Sequence, residues 1–258
     1  DIQTYNIDPK MISEKITNKT VVIMVVHLYG KSCELDPIVD ICRKHELRLI
    51  EDCAQSHGAK YKNRMTGTFG DFGAFSFYPT KNLGALGEAG AVTTGSGELA
   101  EKVHKLRNYG STVQYRNEIV GTNQRLDEIQ AAFLRIKLRH LEQINEHKRA
   151  LANIYLDGLK ENFVKPLVHP DFFDVYHIFC IRHPQRDRLR QYLLDNEIQT
   201  AVHYPTPPHK QSALKNMFAG QNFPISEDIH STVLSLPLSY SHTVSDISHV
   251  VEVLNKFS

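Results

Sequence analysis

The chain has 258 residues, with 30 Lys and Arg against 29 Asp and Glu and a formal net charge of +1. That length buries a sizeable core, as one large domain or two modest ones. Near-neutral charge without a basic run argues against nucleic acid or an electrostatic membrane surface as a partner, and no run is long and apolar enough to span a bilayer.

The four cysteines, Cys33, Cys42, Cys53 and Cys180, form no CxxC pair, as expected of reduced thiols in a cytoplasmic protein. The 14 histidines are scattered without metal-ligand spacing, so no metal is expected. The chain begins with Asp1 rather than Met and enters mid-pattern. Natural sequence is expected before it, and a targeting segment is not excluded.

Asp8-Pro9 predicts a helix start, with Asp8 as cap and Pro9 where its missing N–H costs nothing. Val21 to Val26 is a continuous apolar run and predicts a central parallel strand buried on both faces. A helix follows with Ile38, Ile41 and Cys42 facing in, then a buried strand from Leu47 to Ile50 that ends in Glu51-Asp52. Asp71 to Phe77 and Ala91 to Thr94 are further strands, and Glu98 to Asn108 is a helix. This order defines an α/β, doubly wound class with a mostly parallel sheet.

From Leu126 to about Leu159 the pattern is helical almost throughout. That is longer than one globular helix usually runs, so a break is expected near Arg139. After Pro166 the elements shorten: a strand over Val175 to Arg182, a helix over Gln185 to Asn196, a strand over Ile198 to Tyr204, and a closing helix over Asp246 to Phe257. Residues 1–160 are expected to form the large domain with its bridging helix, and 161–258 a small α+β domain.

One stretch carries chemistry. The aromatic strand Phe75 to Tyr78 stops at Pro79, and Lys81 then heads a loop with Gly84, Gly87 and Gly90. A lysine in such a loop, partly withdrawn from water, loses basicity and becomes a nucleophile for carbonyls. Lys81 is therefore the candidate for a Schiff base. A pyridoxal phosphate site also needs a carboxylate for the pyridine nitrogen, a donor for the ring oxygen and donors for the phosphate. Asp52, Gln55 and Ser76 are of the right types, and ligands of such sheets sit at the carboxyl ends of the strands. Each alone has an ordinary explanation: a turn aspartate, a polar loop residue, a small strand serine, a solvated lysine. His27, at another strand end, is added to the cofactor site as a hydrogen-bonding support for Asp52, or else it bonds only to backbone.

The segments Glu51-Asp-Cys-Ala-Gln-Ser-His-Gly58, Phe75-Ser-Phe-Tyr-Pro-Thr-Lys-Asn-Leu-Gly84, Arg107-Asn-Tyr-Gly110 and Asn123-Gln-Arg-Leu-Asp-Glu-Ile-Gln-Ala-Ala132 resemble, in order, the DegT/StrS family of sugar-nucleotide aminotransferases. The openings Thr4 to Pro9 and Val26 to Gly30 resemble it too. The resemblance implies the fold type I aminotransferase architecture, pyridoxal 5'-phosphate as cofactor and a homodimer whose active site is shared between subunits. It implies Lys81 as Schiff-base lysine and proton shuttle, Asp52 at the pyridine nitrogen, Gln55 at the phenolic oxygen and Ser76 at the phosphate. Asn123 would reach the phosphate of the neighbouring subunit's cofactor. Related dehydratases have histidine in place of this lysine, so Lys81 favours transamination.

The loop Val202 to Gln211 resembles the substrate loop of 3-aminotransferases acting on dTDP-3-keto-6-deoxyhexoses, which would turn His203, Tyr204 and His209 toward the sugar nucleotide. Its plainer reading is a rigid Pro-rich surface turn. The resemblance also implies an N-terminal segment, ahead of Asp1, that carries a Gly-rich phosphate-binding turn. The expected reaction is transfer of an amino group from glutamate to a nucleotide-linked keto-deoxysugar, in amino-sugar or surface-polysaccharide biosynthesis. Dehydration or epimerisation with the same cofactor, or a non-catalytic regulatory relative, are the alternatives.

Overall fold

The computed structural model describes all 258 residues. Chain contacts divide it into two compact units. One comprises Ile7–Gln143 with Pro170–Asp174; the other comprises Asp1–Asn6, Ile144–His169 and Val175–Ser258. The division falls at Gln143/Ile144, inside a helix, whereas the sequence pattern placed it at residue 160.

The first unit contains β1 (Val22–Val26), α1 (Leu35–Lys44), β2 (Arg48–Asp52), β3 (Lys60–Tyr61), β4 (Arg64–Met65), β5 (Phe72–Ser76) and β6 (Gly90–Thr93). It continues with α2 (Gly97–Leu106), the hairpin β7 (Ser111–Val113) and β8 (Arg116–Asn117), and α3 (Glu128–Leu138). Its main sheet has the order β1-β2-β5-β6. β1 and β5 both pair with β2 in parallel, with Val26 opposite Asp52 and Asp52 opposite Ala74. β6 runs antiparallel to β5, with Gly90 opposite Ser76. The sheet is mixed and mostly parallel, as expected.

Three local departures have physical causes. β1 is a sheet edge, and its burial alternates: Ile23 and Val25 are buried while Val22, Met24 and Val26 are exposed. The helix expected after Asp8 is two short 3-10 turns, Pro9–Met11 and Ser13–Lys15, although Asp8 does cap the first by accepting from the Lys10 N–H at 3.0 Å. A second small sheet, β4-β3-β9, recruits β9 (Phe172–Phe173) from far along the chain.

α4 (Leu141–Gly158) follows α3 after the break expected at Arg139. In the second unit it is joined by β10 (Phe179–Arg182), α5 (Arg186–Asp195), α6 (Pro224–Thr232), β11 (Val233–Leu236) and α7 (Val244–Leu254). β10 and β11 pair antiparallel, with Phe179 opposite Leu236. Tyr155 of α4 stacks on Phe179 at 4.8 Å, in a core with Leu151, Leu189, Ile247 and Leu254. The strand expected from Val175 starts only at Phe179, because Tyr176 holds a left-handed φ of 43°. The strand expected over 198–204 is reduced to one bridge, Ala201 with Ser235. No helix is long and apolar enough to cross a membrane.

Candidate active site

Side chains alternate along a strand, so neighbours on β2 face opposite ways. Asp52 points to one face; Glu51 and Cys53 point to the other. The register carries this alternation to the next strand: Asp52 is opposite Ala74, so Ala74 and Ser76 share its face. The β2 and β5 ends thus place a carboxylate and a hydroxyl on one side of the sheet, with the small Ala74 between.

Past the end of β2, the Asp52 Oδ1 accepts the Ala54 N–H at 2.9 Å, which fixes the carboxylate's direction. Gln55 is buried, and its Oε1 accepts the Tyr29 N–H at 2.6 Å. Tyr29 reaches it from a turn after β1, where its φ is 60°. With the amide oxygen committed to an N–H, the amino end of Gln55 is the donor. Ser76 Oγ accepts the Tyr78 N–H at 3.3 Å and keeps its own proton to donate.

Lys81 follows β5 in a turn closed by its own N–H donating to the Tyr78 carbonyl at 2.9 Å. Burial pulls its ammonium below the ordinary lysine pKa, and the Asp52 charge pulls part of the way back. The two groups therefore sense each other across the site.

The loop beyond Lys81 rests on α3. Leu83 and Ala85 pack with Leu134, the Leu86 N–H donates to Gln130 Oε1 at 2.9 Å, and Lys137 Nζ donates to the Gly84 carbonyl. Gly84 has no room for a side chain: a Cβ there would lie 2.4 Å from the Pro79 oxygen. His57 is buried beneath this strand, its ring 5.6 Å from that of Phe75 and 5.7 Å from that of Phe77. Burial pushes its pKa down to about 4, with the Lys81 charge adding to the effect against a hydrogen bond to the Ser76 backbone. Its imidazole is neutral at neutral pH.

His27 does not support Asp52 as expected. Its Nε2 is 3.0 Å from Glu51 Oε2, and its Nδ1 accepts the Cys33 N–H at 3.0 Å. Both ring nitrogens are committed on the face opposite Asp52, so the imidazole reaches neither that carboxylate nor a ligand on its face. Glu51 itself was missed in the sequence. The available signal was a carboxylate beside Asp52 on a strand that is otherwise buried, which needs partners of its own.

Asn123 is exposed, at an antiparallel bridge with Asn108, and shares no hydrogen bond with Asp52, Gln55, Ser76 or Lys81. The residues of the Pro-rich loop belong to the second unit. There His203 Nδ1 lies 2.8 Å from Ser235 Oγ, and the His203 ring meets that of Tyr204 edge-on at 5.5 Å. His203 lines a cavity of about 330 Å³ together with His177, Thr200 and Ser235. Tyr204 is exposed. His209 Nε2 is held by Glu227 Oε1 at 3.1 Å and its ring packs on Phe223 at 4.9 Å. With its side chain only 8% exposed, it anchors the loop to α6.

The set Lys81, Asp52, Gln55 and Ser76 fits pyridoxal phosphate group by group. An amine of lowered basicity suits the aldehyde and a fixed carboxylate suits the pyridine nitrogen. An oriented amide N–H suits the phenolic oxygen, and a hydroxyl at a strand end suits the phosphate.

Comparison with known proteins agrees. Residues 1–255 match the DegT/DnrJ/EryC1/StrS aminotransferase family, and the chain belongs to that family. It is a pyridoxal-phosphate-dependent aminotransferase of fold type I. It is 50% identical over 258 residues to the dTDP-3-amino-3,6-dideoxy-alpha-D-galactopyranose transaminase of Aneurinibacillus thermoaerophilus, covering 100% of this chain and 71% of that protein. It is 42% identical over 254 residues to the erythromycin biosynthesis sensory transduction protein EryC1 of Saccharopolyspora erythraea, covering 97% and 69%. The structure of S. venezuelae DesV in complex with a ketimine intermediate superposes with a TM-score of 0.95 at 40% identity, covering 99% of this chain and 70% of that one.

Proposed function

We propose that this enzyme moves an amino group from glutamate to the keto carbon of a nucleotide-linked keto-deoxysugar, a dTDP-3-keto-6-deoxyhexose by analogy with the Aneurinibacillus transaminase. The observation that carries this is the joint placement of Lys81, Asp52, Gln55 and Ser76 at the carboxyl ends of β2 and β5. Pyridoxal phosphate, when bound, supplies an aldehyde to receive the amino group and a ring that takes up the electrons left when a Cα proton is removed.

The protein's own part is to hold the ring and move protons. Asp52 would keep the pyridine nitrogen protonated, so that the ring remains an electron acceptor. Gln55 would donate to the phenolic oxygen and Ser76 to the phosphate. Lys81 Nζ, its basicity lowered by burial, would move a proton from the donor's Cα to the cofactor's C4′ carbon in the first half-reaction, and from that carbon to the sugar carbon in the second.

A second copy of the chain would complete the site with Asn123. In support, α3 leaves Ile129, Phe133 and Ile136 exposed at helical spacing, while Leu134 faces inward. His203 and Tyr204 remain the proposed sugar-nucleotide contacts. The name of the Saccharopolyspora relative raises a regulatory reading; the intact lysine and carboxylate set here favours turnover.

The test uses the full-length protein with cofactor. It should show a visible absorbance that borohydride bleaches and glutamate shifts, and should aminate at least one member of a keto-sugar nucleotide panel. Lys81→Ala should lose both the absorbance and the activity. A Lys81→Ala protein with an unchanged spectrum would refute the assignment.

A further inference from the structure

Glu51 lies on β2 beside Asp52 and is wholly buried. Its carboxylate accepts four hydrogen bonds. Oε1 takes the Phe69 and Gly70 N–H groups at 2.7 and 2.8 Å; Oε2 takes the Gly67 N–H at 2.7 Å and His27 Nε2 at 3.0 Å. Because His27 Nδ1 accepts the Cys33 N–H, the ring proton sits on Nε2 and the imidazole is neutral. Burial alone would raise the Glu51 carboxyl. The bonds from His27 and from the Gly70 and Gly67 N–H groups outweigh it and hold the pKa below the ordinary value.

These four bonds tie three strand ends together. His27 closes β1, and two residues later the Tyr29 N–H holds Gln55. Glu51 precedes Asp52. The segment 67–70 leads into β5, which delivers Ser76 and then Lys81. The segment is closely fitted: Gly67 has a φ of 80° and a Cβ there would lie 2.6 Å from the Phe75 ring, while the Gly67 carbonyl accepts Thr93 Oγ1 at 2.7 Å.

We propose that the Glu51–His27 pair is the positioning device of this site: it fixes β2 against β1 and β5 from the sheet's reverse face and so holds Asp52 where the pyridine nitrogen must meet it. A cation is the competing occupant, since ligand atoms of His27, Glu51 and Cys53 lie within 4.8 Å of one another. The bonding excludes it. Three backbone N–H dipoles already point at the carboxylate with their positive ends, and the remaining direction is filled by the His27 proton.

The inference rests on Asp52 serving the pyridine nitrogen, so Asp52→Asn is measured alongside. His27→Asn keeps an acceptor for the Cys33 N–H but loses the donor to Glu51; His27→Gln places an amide N–H near the position of Nε2. Both are compared with wild type for folding of the cofactor-free protein by circular dichroism, for pyridoxal phosphate affinity by absorbance titration, and for the kcat and KM of glutamate. His27→Asn should fold, bind the cofactor about tenfold more weakly and lose kcat with little change in KM. His27→Gln should restore most of the affinity. Equal losses in the two His27 variants, or wild-type affinity and spectrum in His27→Asn, would overturn the proposal. Wild-type affinity and spectrum in Asp52→Asn would overturn the Asp52 assignment, and the proposal with it. Glu51→Gln supplies a second test: if it folds, it should match His27→Asn or exceed it in loss of affinity. A folded Glu51→Gln protein of wild-type affinity would count against the clamp.

Discussion

His57 should make the cofactor-free protein acid-sensitive in a defined window. It is 2% exposed, packed against Phe75 and Phe77 and adjacent to the positive charge of Lys81, and its pKa is pushed down to about 4 from an ordinary 6.5. The unfolded chain therefore binds a proton that the folded chain refuses. Between pH 6.5 and 4 the unfolded state holds more protons, so stability falls as pH falls, by about 1.4 kcal/mol per pH unit at the steepest. By pH 4 this one group has removed about 3 kcal/mol, and below that its effect levels off. Against a typical total of about 5–15 kcal/mol, that is a large share.

Urea unfolding of wild type and His57→Gln from pH 7 to pH 4 isolates the effect, because all other groups titrate in both. The variant should be less stable at pH 7 through lost packing, yet lose about 3 kcal/mol less on acidification. In Lys81→Met the His57 midpoint, followed by its ring-proton NMR signal, should move upward, since a neighbouring positive charge is gone. Parallel stability curves for wild type and His57→Gln would refute the assignment of His57 as a buried neutral imidazole.

Two further substitutions test local geometry. Gly110 has a φ of 77°, and a Cβ there would lie 1.6 Å from the Ile119 oxygen. Gly110→Ala should therefore release the β7–β8 hairpin at a cost of about 3 kcal/mol, read as faster proteolysis between residues 111 and 120. Thr243 and Asp246 form a reciprocal cap on α7, with the Asp246 N–H donating to Thr243 Oγ1 at 3.2 Å and the Thr243 N–H to Asp246 Oδ2 at 2.8 Å. Thr243→Ala should lower stability by about 1 kcal/mol in urea unfolding and leave cofactor affinity unchanged.

How far the sequence reveals this molecule depends on what kind of group makes each bond. Lys81, Asp52, Gln55 and Ser76 could be proposed from the sequence because the chemistry demands particular side chains and a strand end has a recognisable pattern. The break at Arg139 was legible because a helical stripe from Leu126 to about Leu159 exceeds one helix. By contrast, Val21 to Val26 is apolar at every position. Such a run cannot tell which face is covered; within these 258 residues Ile23 and Val25 are buried and Met24 is exposed. The β4-β3-β9 sheet escaped notice for a different reason: Lys60 pairs with Phe173, and two-residue strands carry no periodicity to match across that distance.

The same distinction explains the errors around the site. His27 was expected to bond Asp52, but its carboxylate partner is Glu51. Glu51 and Asp52 are adjacent in sequence, and only the pleat of β2 sends them to opposite faces. Three of Glu51's four partners are backbone N–H groups of Gly67, Phe69 and Gly70, which any residue type but proline would offer, so no side-chain motif announces them. The Glu227 partner of His209 was not legible because it lies on a helix that the sequence pattern did not foretell. The residues proposed to act on a ligand are thus picked out by type. Those that hold them in place are chosen by position, and much of their bonding is to anonymous backbone. That is why the reverse face of the sheet, and not the cofactor face, is where the structure adds most to what the residues alone declare.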